Sequence, residues 1–270
     1  MVINKFCLHR SALLALSLEL FSTASFPILA QEQLLNRQEI TAYFTQFSPS
    51  GVEMSPMRNA LAQRFKLPNI PSVGKPLRRT GAAVRGGCNY STADKLVALL
   101  PAIEPVLTVA EYPTVFVSLP QTTAKEAEFV LLNANKDQVL YETTITLPSN
   151  PGIVSFSLPK EGSLPPLETG KNYYWYFSVI CNPQERAEDL VAEGQFQRVE
   201  LSSKLASDLK NASLGDRPVV YVEAGIWYEA LTTLAELRRS SPNDLKISAD
   251  WTELLKSVGL ENIAQKPLIH

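Results

Sequence analysis

Across residues 88–201, apolar and polar positions alternate with a period of two. In residues 139–147 the odd positions Val139, Tyr141, Ile145 and Leu147 are apolar, while Glu142, Thr144 and Thr146 alternate with them. In residues 153–158 they are Val154, Phe156 and Leu158, set against Ser155 and Ser157. Successive side chains of a strand point to opposite faces, so this spacing predicts half-buried β-strands. Further strands are predicted over residues 114–119, 128–132, 173–181 and 190–201. Turn-forming residues at 133–137 join two of them as a hairpin, and the stretches 148–152 and 159–170 separate others. Strand 173–181 is the expected centre, because its odd face, Tyr173, Trp175, Phe177, Val179 and Cys181, is wholly apolar. That reading sets Cys181 against the core beside Trp175 and leaves Tyr174 and Tyr176 on the opposite face.

After Leu201 the period becomes helical. Ile226, Trp227, Ala230, Leu231, Leu234 and Leu237 follow the three-and-four spacing of an amphipathic helix, stopped by Pro242. A second helix is predicted over residues 244–258, with Trp251, Leu254, Leu255 and Val258 on its apolar stripe and Gly259 ending it. Residues 211–244 also resemble a tetratricopeptide unit at Tyr221, Gly225, Ala230 and Pro242, although Pro218 stands where that motif has a small residue. A single unit with a trailing helix makes no repeat groove, so a cap packed on the strands is expected. The predicted fold class is β plus α. It comprises an antiparallel immunoglobulin-like β-sandwich over residues 88–201, then a small C-terminal helical, tetratricopeptide-like domain over 202–270. The immunoglobulin likeness is partial, because Cys88 precedes the first strand.

The N-terminus breaks both periods. Lys5, His9 and Arg10 precede an apolar run at 11–20 and then a stretch of small residues, which predicts a signal peptide over residues 1–30. Cleavage is placed after Ala30, with Ala24 or Ser25 as alternatives. The run is too short to span a bilayer. Export to the periplasm or the extracellular space follows, and it changes how the cysteines read. Loss of Cys7 leaves Cys88 and Cys181, which in an oxidising compartment form one disulfide; the alternative is two unpaired buried thiols.

Residues 31–87 read as a mobile basic leader with one helix at 34–47. Between Met54 and Ala93 stand Arg58, Arg64, Lys66, Lys75, Arg78, Arg79 and Arg85 with no acidic residue. Such a segment suits an anionic surface, with Arg78 and Arg79 as candidate contacts, or a plain solvated linker. The chain as a whole carries a net charge of −2, which argues against a general nucleic-acid binder. At 45% hydrophobic and 19% charged residues, most of it is expected to fold.

Candidate chemistry is sparse. Beyond the signal the only histidine is His270, so a histidine general base, a Ser-His-Asp or Cys-His pair and a His-containing zinc site lack their central residue. No Gly-rich phosphate loop is present. No catalytic residue, cofactor or metal ligand is therefore assigned. Carboxylates remain: Glu126, Glu128, Asp189 and Glu193 lie near strand ends, where two acids can converge as in a glycosidase, although solvated surface acids are the simpler account. Tyr174 and Tyr176 are candidate carbohydrate contacts. Trp227 and Tyr228, in the run Ile226–Trp227–Tyr228, are candidate partner contacts, against the simpler account of helix packing.

Several of these segments recur as strings. The run Arg85-Gly86-Gly87-Cys88, then LTVAEYPTVFVSLP (107–120), AEFVLL (127–132), PGIVSFSLP (151–159), YYWYFSVICNPQERAEDLVAEG (173–194) and GIWYEALTTLAELR (225–238), resemble the domain-of-unknown-function 928 family of secreted cyanobacterial proteins. Asn89 stands where the resemblance leads one to expect proline, and Gln195 where it leads one to expect an aromatic. The resemblance implies an envelope or extracellular setting and carries no catalytic or ligand residue. The expected function is a non-enzymatic binding or scaffolding module of the envelope, contacting another envelope protein or an anionic surface, without a membrane span. The alternative is a carbohydrate-binding or carboxylate-based glycan-cleaving sandwich.

Overall fold

A computed structural model describes residues 64–68, 88, 94–162 and 164–269. The candidate contacts Arg78 and Arg79, the signal and the helix at 34–47 lie outside the described residues. Among the described residues eight strands and four α-helices follow in chain order: β1 (Val97–Ala98), β2 (Leu107–Thr108), β3 (Thr114–Leu119), β4 (Glu126–Leu132), β5 (Val139–Thr146), β6 (Gly152–Ser157), β7 (Asn172–Val179), β8 (Leu190–Arg198), α1 (Ser203–Asn211), α2 (Arg217–Glu223), α3 (Trp227–Ser240) and α4 (Leu245–Lys256).

The strands form two sheets, ordered β1-β3-β6 and β2-β8-β7-β4-β5, antiparallel except for the β2–β8 pair. β7 is the middle strand of the larger sheet. Its odd side chains Tyr173, Trp175, Phe177 and Val179 are all buried, as the wholly apolar face requires. Phe129 of β4 meets Phe156 of β6 with ring centroids 4.5 Å apart, so the two sheets pack through their aromatic faces. Edge strand β5 keeps the alternation from Tyr141 to Thr146, because only one of its faces meets the core, but a register shift opposite Leu131 and Leu132 breaks it at the start, where Val139 is exposed and Leu140 half-buried.

The helices share that core. Trp227, Tyr228 and Leu231 of α3 and Trp251 and Leu254 of α4 lie in the same buried cluster as Phe129 and Trp175. Each local choice supports the helical register. Ser202 caps α1 by accepting from the Leu205 N–H, and Asp244 caps α4 by accepting from the Lys246 and Ile247 N–H groups. Gly225, at φ 76°, reverses the chain between α2 and α3, a left-handed conformation that a Cβ would strain.

α1 has no counterpart among the predicted elements, and α2 has one only in the tetratricopeptide-like stretch 211–244. α2 is only seven residues long and contains Pro218, Val219, Val220 and Val222, so propensity alone does not mark it; burial of Pro218 and Val222 holds it. Exposed α1 buries a single residue, Leu205, and so leaves little periodic signal.

The basic leader also needs correction where it is described. Phe65 is buried in the core, and Arg64 reaches the helices, with Nη2 2.5 Å from Asp216 Oδ1 and Nη1 3.4 Å from Asp250 Oδ2. Residues 64–68 are therefore anchored rather than mobile. The physical reason is that Asp250 is almost wholly buried and takes its charge partners from Arg64 and Lys246.

Candidate functional site

The even positions of β7 point away from the core. Tyr174 and Tyr176 stand half-buried on this outer face, next to Gln195 and Glu193 of β8 in register. The β4–β5 turn brings a cation over them. Asn133 shapes that turn by accepting the Asp137 N–H at its Oδ1 and donating from Nδ2 to Asp137 Oδ1, which leaves Lys136 at φ 60°. The Lys136 ammonium then lies 3.9 Å from the Tyr174 ring centroid and 3.5 Å from the Tyr176 hydroxyl. Glu104 completes the patch. Burial holds its carboxyl above the ordinary value, Lys136 opposes that rise, and Glu193 adds to it.

Two of the four acids singled out in the sequence, Glu128 and Asp189, fall into place around an arginine. Arg186, on a single 3-10 turn between β7 and β8, donates from Nη2 to Glu128 at 3.1 Å and from Nε to Asp189 at 2.6 Å. These hydrogen bonds, Glu128 first, raise the guanidinium pKa further. Glu128 and Asp189 do converge, but on a cation that neutralises them. Glu193 lies two strands from Glu128, a lateral separation of about 10 Å. Glu126 is exposed at the start of β4. Buried Asp189 also accepts the Cys181 N–H at 3.0 Å, so this cluster clips the β7–β8 loop beside the disulfide.

Cys88 and Cys181 are bonded, with Cα atoms 4.7 Å apart, and Cys88 is fully buried. The Cys88 carbonyl accepts hydrogen bonds from the Thr122 hydroxyl and the Thr123 N–H and hydroxyl. The bridge does not lie beside Trp175. Cys181 follows it by six positions, two of them past the end of β7, which is about 20 Å of extended chain.

Trp227 and Tyr228 are corrected as well: both are buried, so they are core residues and not partner contacts. Trp227 Nε1 donates to the Leu99 carbonyl at 2.9 Å. Tyr228 Oη accepts from Trp175 Nε1 at 3.1 Å and donates to the Gln195 carbonyl at 2.8 Å. Burial pushes its phenol far above the ordinary value, outweighing the Trp175 hydrogen bond. The aromatic run gave no orientation because both faces of this helix turn inward at its start.

Sequence reasoning passed over Glu229. Its Oε1 accepts from the Thr108 hydroxyl at 2.6 Å and from the Ala110 and Val109 N–H groups at 2.8 and 3.0 Å, tying the end of β2 to the first turn of α3. Its Oε2 is enclosed without a partner beside a cavity of about 120 Å³. Burial raises its pKa against these three hydrogen bonds and its own backbone N–H. Its place in the first helical turn was the available signal. Among the described residues no three His, Cys, Asp or Glu side chains group as a metal site, and no helix is long and apolar enough to cross a membrane.

Searches of curated proteins and of solved structures find no match. A family model described as Domain of Unknown Function (DUF928) matches residues 80–268, which takes in both sheets, the disulfide and all four helices. The chain belongs to that family.

Proposed function

We propose that this protein is an exported, non-enzymatic binding module of the cell envelope, and that it meets a protein partner through the outer face of its five-stranded sheet. The observation that carries the reading is the Tyr174–Tyr176 pair on the middle strand, with Lys136 seated over it and Glu104 and Glu193 alongside. Tyrosines on a rigid strand offer large contact area at low cost in side-chain entropy, and charges of both signs at the rim set register. The disulfide supports an oxidising compartment. The neutralised Glu128–Arg186–Asp189 cluster supports binding over hydrolysis, since both acids are paired with one guanidinium. On this reading the packed sheets serve as an immunoglobulin-like sandwich, and the α2–α3 hairpin about Gly225 serves as a tetratricopeptide-like cap.

Immobilised mature protein is expected to retain an envelope protein that the Tyr174→Ser/Tyr176→Ser double variant does not. Equal retention by both would overturn the assignment of this face. The second reading, carbohydrate binding, rests on the same tyrosines. Lys136 already occupies one face of Tyr174, so a stacked sugar has to displace it or use the other face. Glycan-array binding abolished by the double variant would favour that reading.

A further inference from the structure

At the open edge between the sheets, β5 and β6 border a cleft of about 410 Å³. Ile145, Val154, Phe156 and Phe177 line it from the sheets. Ile269 closes it from the C-terminal segment, which is held to β6 by hydrogen bonds from the Ile153 N–H to the Pro267 carbonyl and from the Ile269 N–H to the Ile153 carbonyl. One charge enters this apolar lining: Arg239, from the last turn of α3. Its Nη2 donates to the Ser155 hydroxyl at 2.9 Å, and its Nε is enclosed with no acceptor. No carboxylate pairs with it among the described residues.

A guanidinium partly withdrawn from water and lacking an anion is unfavourable, and its fork of donors matches the two oxygens of a carboxylate. The walls, by contrast, offer a polar ligand only the side-chain hydroxyls of Ser155 and Thr146. The volume lies within the roughly 300–1,000 Å³ of small-molecule pockets. We infer that the cleft binds a medium-chain monocarboxylate, with the acyl chain against Phe156 and Phe177 and the carboxylate on Arg239 beside Ser155. The cleft wraps the edge of β6, with Ser155 on the strand face opposite Phe156, and includes neither Tyr174 nor Tyr176, so this inference does not depend on the outer face proposed above.

Calorimetric titration of the mature protein with decanoate, below its micelle concentration, tests it. Saturable one-to-one binding is expected, with decanol and decyltrimethylammonium bound at least about tenfold more weakly. Arg239→Gln is expected to weaken decanoate roughly tenfold to a hundredfold, in keeping with loss of a charge-assisted pair, and to leave decanol unchanged. Should Arg239→Gln fail to fold, Ser155→Ala supplies the second arm, because this hydroxyl is exposed on an edge strand; it should weaken decanoate severalfold and not decanol. Absence of decanoate binding, decanol binding as tightly, or variants with unaltered decanoate affinity would each overturn the inference.

Discussion

Trp175 of the central strand donates its indole N–H to the hydroxyl of Tyr228 in the first turns of α3, and that hydroxyl passes its own proton to the Gln195 carbonyl on the neighbouring strand. Three elements are thus joined by one buried phenol. Phe196 packs edge-on against the same ring at 5.5 Å, so the polar relay sits within an aromatic cluster and is shielded from water.

Tyr228→Phe keeps the ring and removes the hydroxyl. It strands the Trp175 N–H and one lone pair of the Gln195 carbonyl in the core, and an unsatisfied buried group costs about 1–3 kcal/mol. Chemical denaturation should show a stability loss of that order with an unchanged slope. A loss within error of zero would mean that water or another group takes over the relay.

Gly194 lies opposite Trp175 in register, and a Cβ there would come within 2.3 Å of two indole ring carbons. Neither the strand backbone nor the enclosed ring has room to yield, so Gly194→Ala is expected to destabilise by about 1–3 kcal/mol or more through overpacking. Near-ultraviolet circular dichroism should report altered tryptophan packing alongside a lower unfolding midpoint.

The bridge spans 93 residues of sequence and fixes the buried Cys88 to the far end of β7. Loss of a native disulfide typically costs 2–5 kcal/mol, roughly, mostly through the freedom restored to the unfolded chain. Cys88→Ser is expected to retain the β-sheet signal in far-ultraviolet circular dichroism and to melt at a lower temperature. An unchanged melting temperature would show that the bridge adds nothing to stability.

Glu229 gives the pH dependence a definite sign. Burial raises its folded-state pKa above the ordinary 4.5, so above that pH the folded chain keeps a proton that the unfolded chain has released. Its contribution therefore falls as pH rises from the ordinary value through the raised one. Glu229→Gln keeps an acceptor for Thr108, Val109 and Ala110 and cannot ionise. Its stability relative to the native chain should increase across that window and level off above it; a pH-independent difference would place the titration elsewhere.

Six of the eight described strands were legible from the sequence because alternation records, locally, which side of each strand is buried; β1 and β2, two residues each, are too short to show a period. Predicted strand 114–119 coincides with β3, and the others agree within a few residues at their ends. The apolar stripes at Trp227 to Leu234 and Trp251 to Leu255 marked α3 and α4 for the same reason. The outer-face pair Tyr174 and Tyr176 was visible in the same alternation, while the cation above it was not. Lys136 reaches Tyr174 only because β4 and β7 are neighbours in the sheet, an adjacency that no local pattern encodes.

By itself, then, the sequence determined the periods, the helix stops at Pro242 and Gly259, the two cysteines and a family membership carried by long strings. The tertiary structure alone decided that Trp227 and Tyr228 face inward, that Arg64 is anchored to Asp216 and Asp250, that Glu128 and Asp189 are neutralised by Arg186, and that Arg239 stands among apolar side chains. In each case the deciding contact joins separate elements of the fold, most of them far apart in sequence. Burial and charge pairing depend on what lies opposite in space, whereas periodicity reports only that something does.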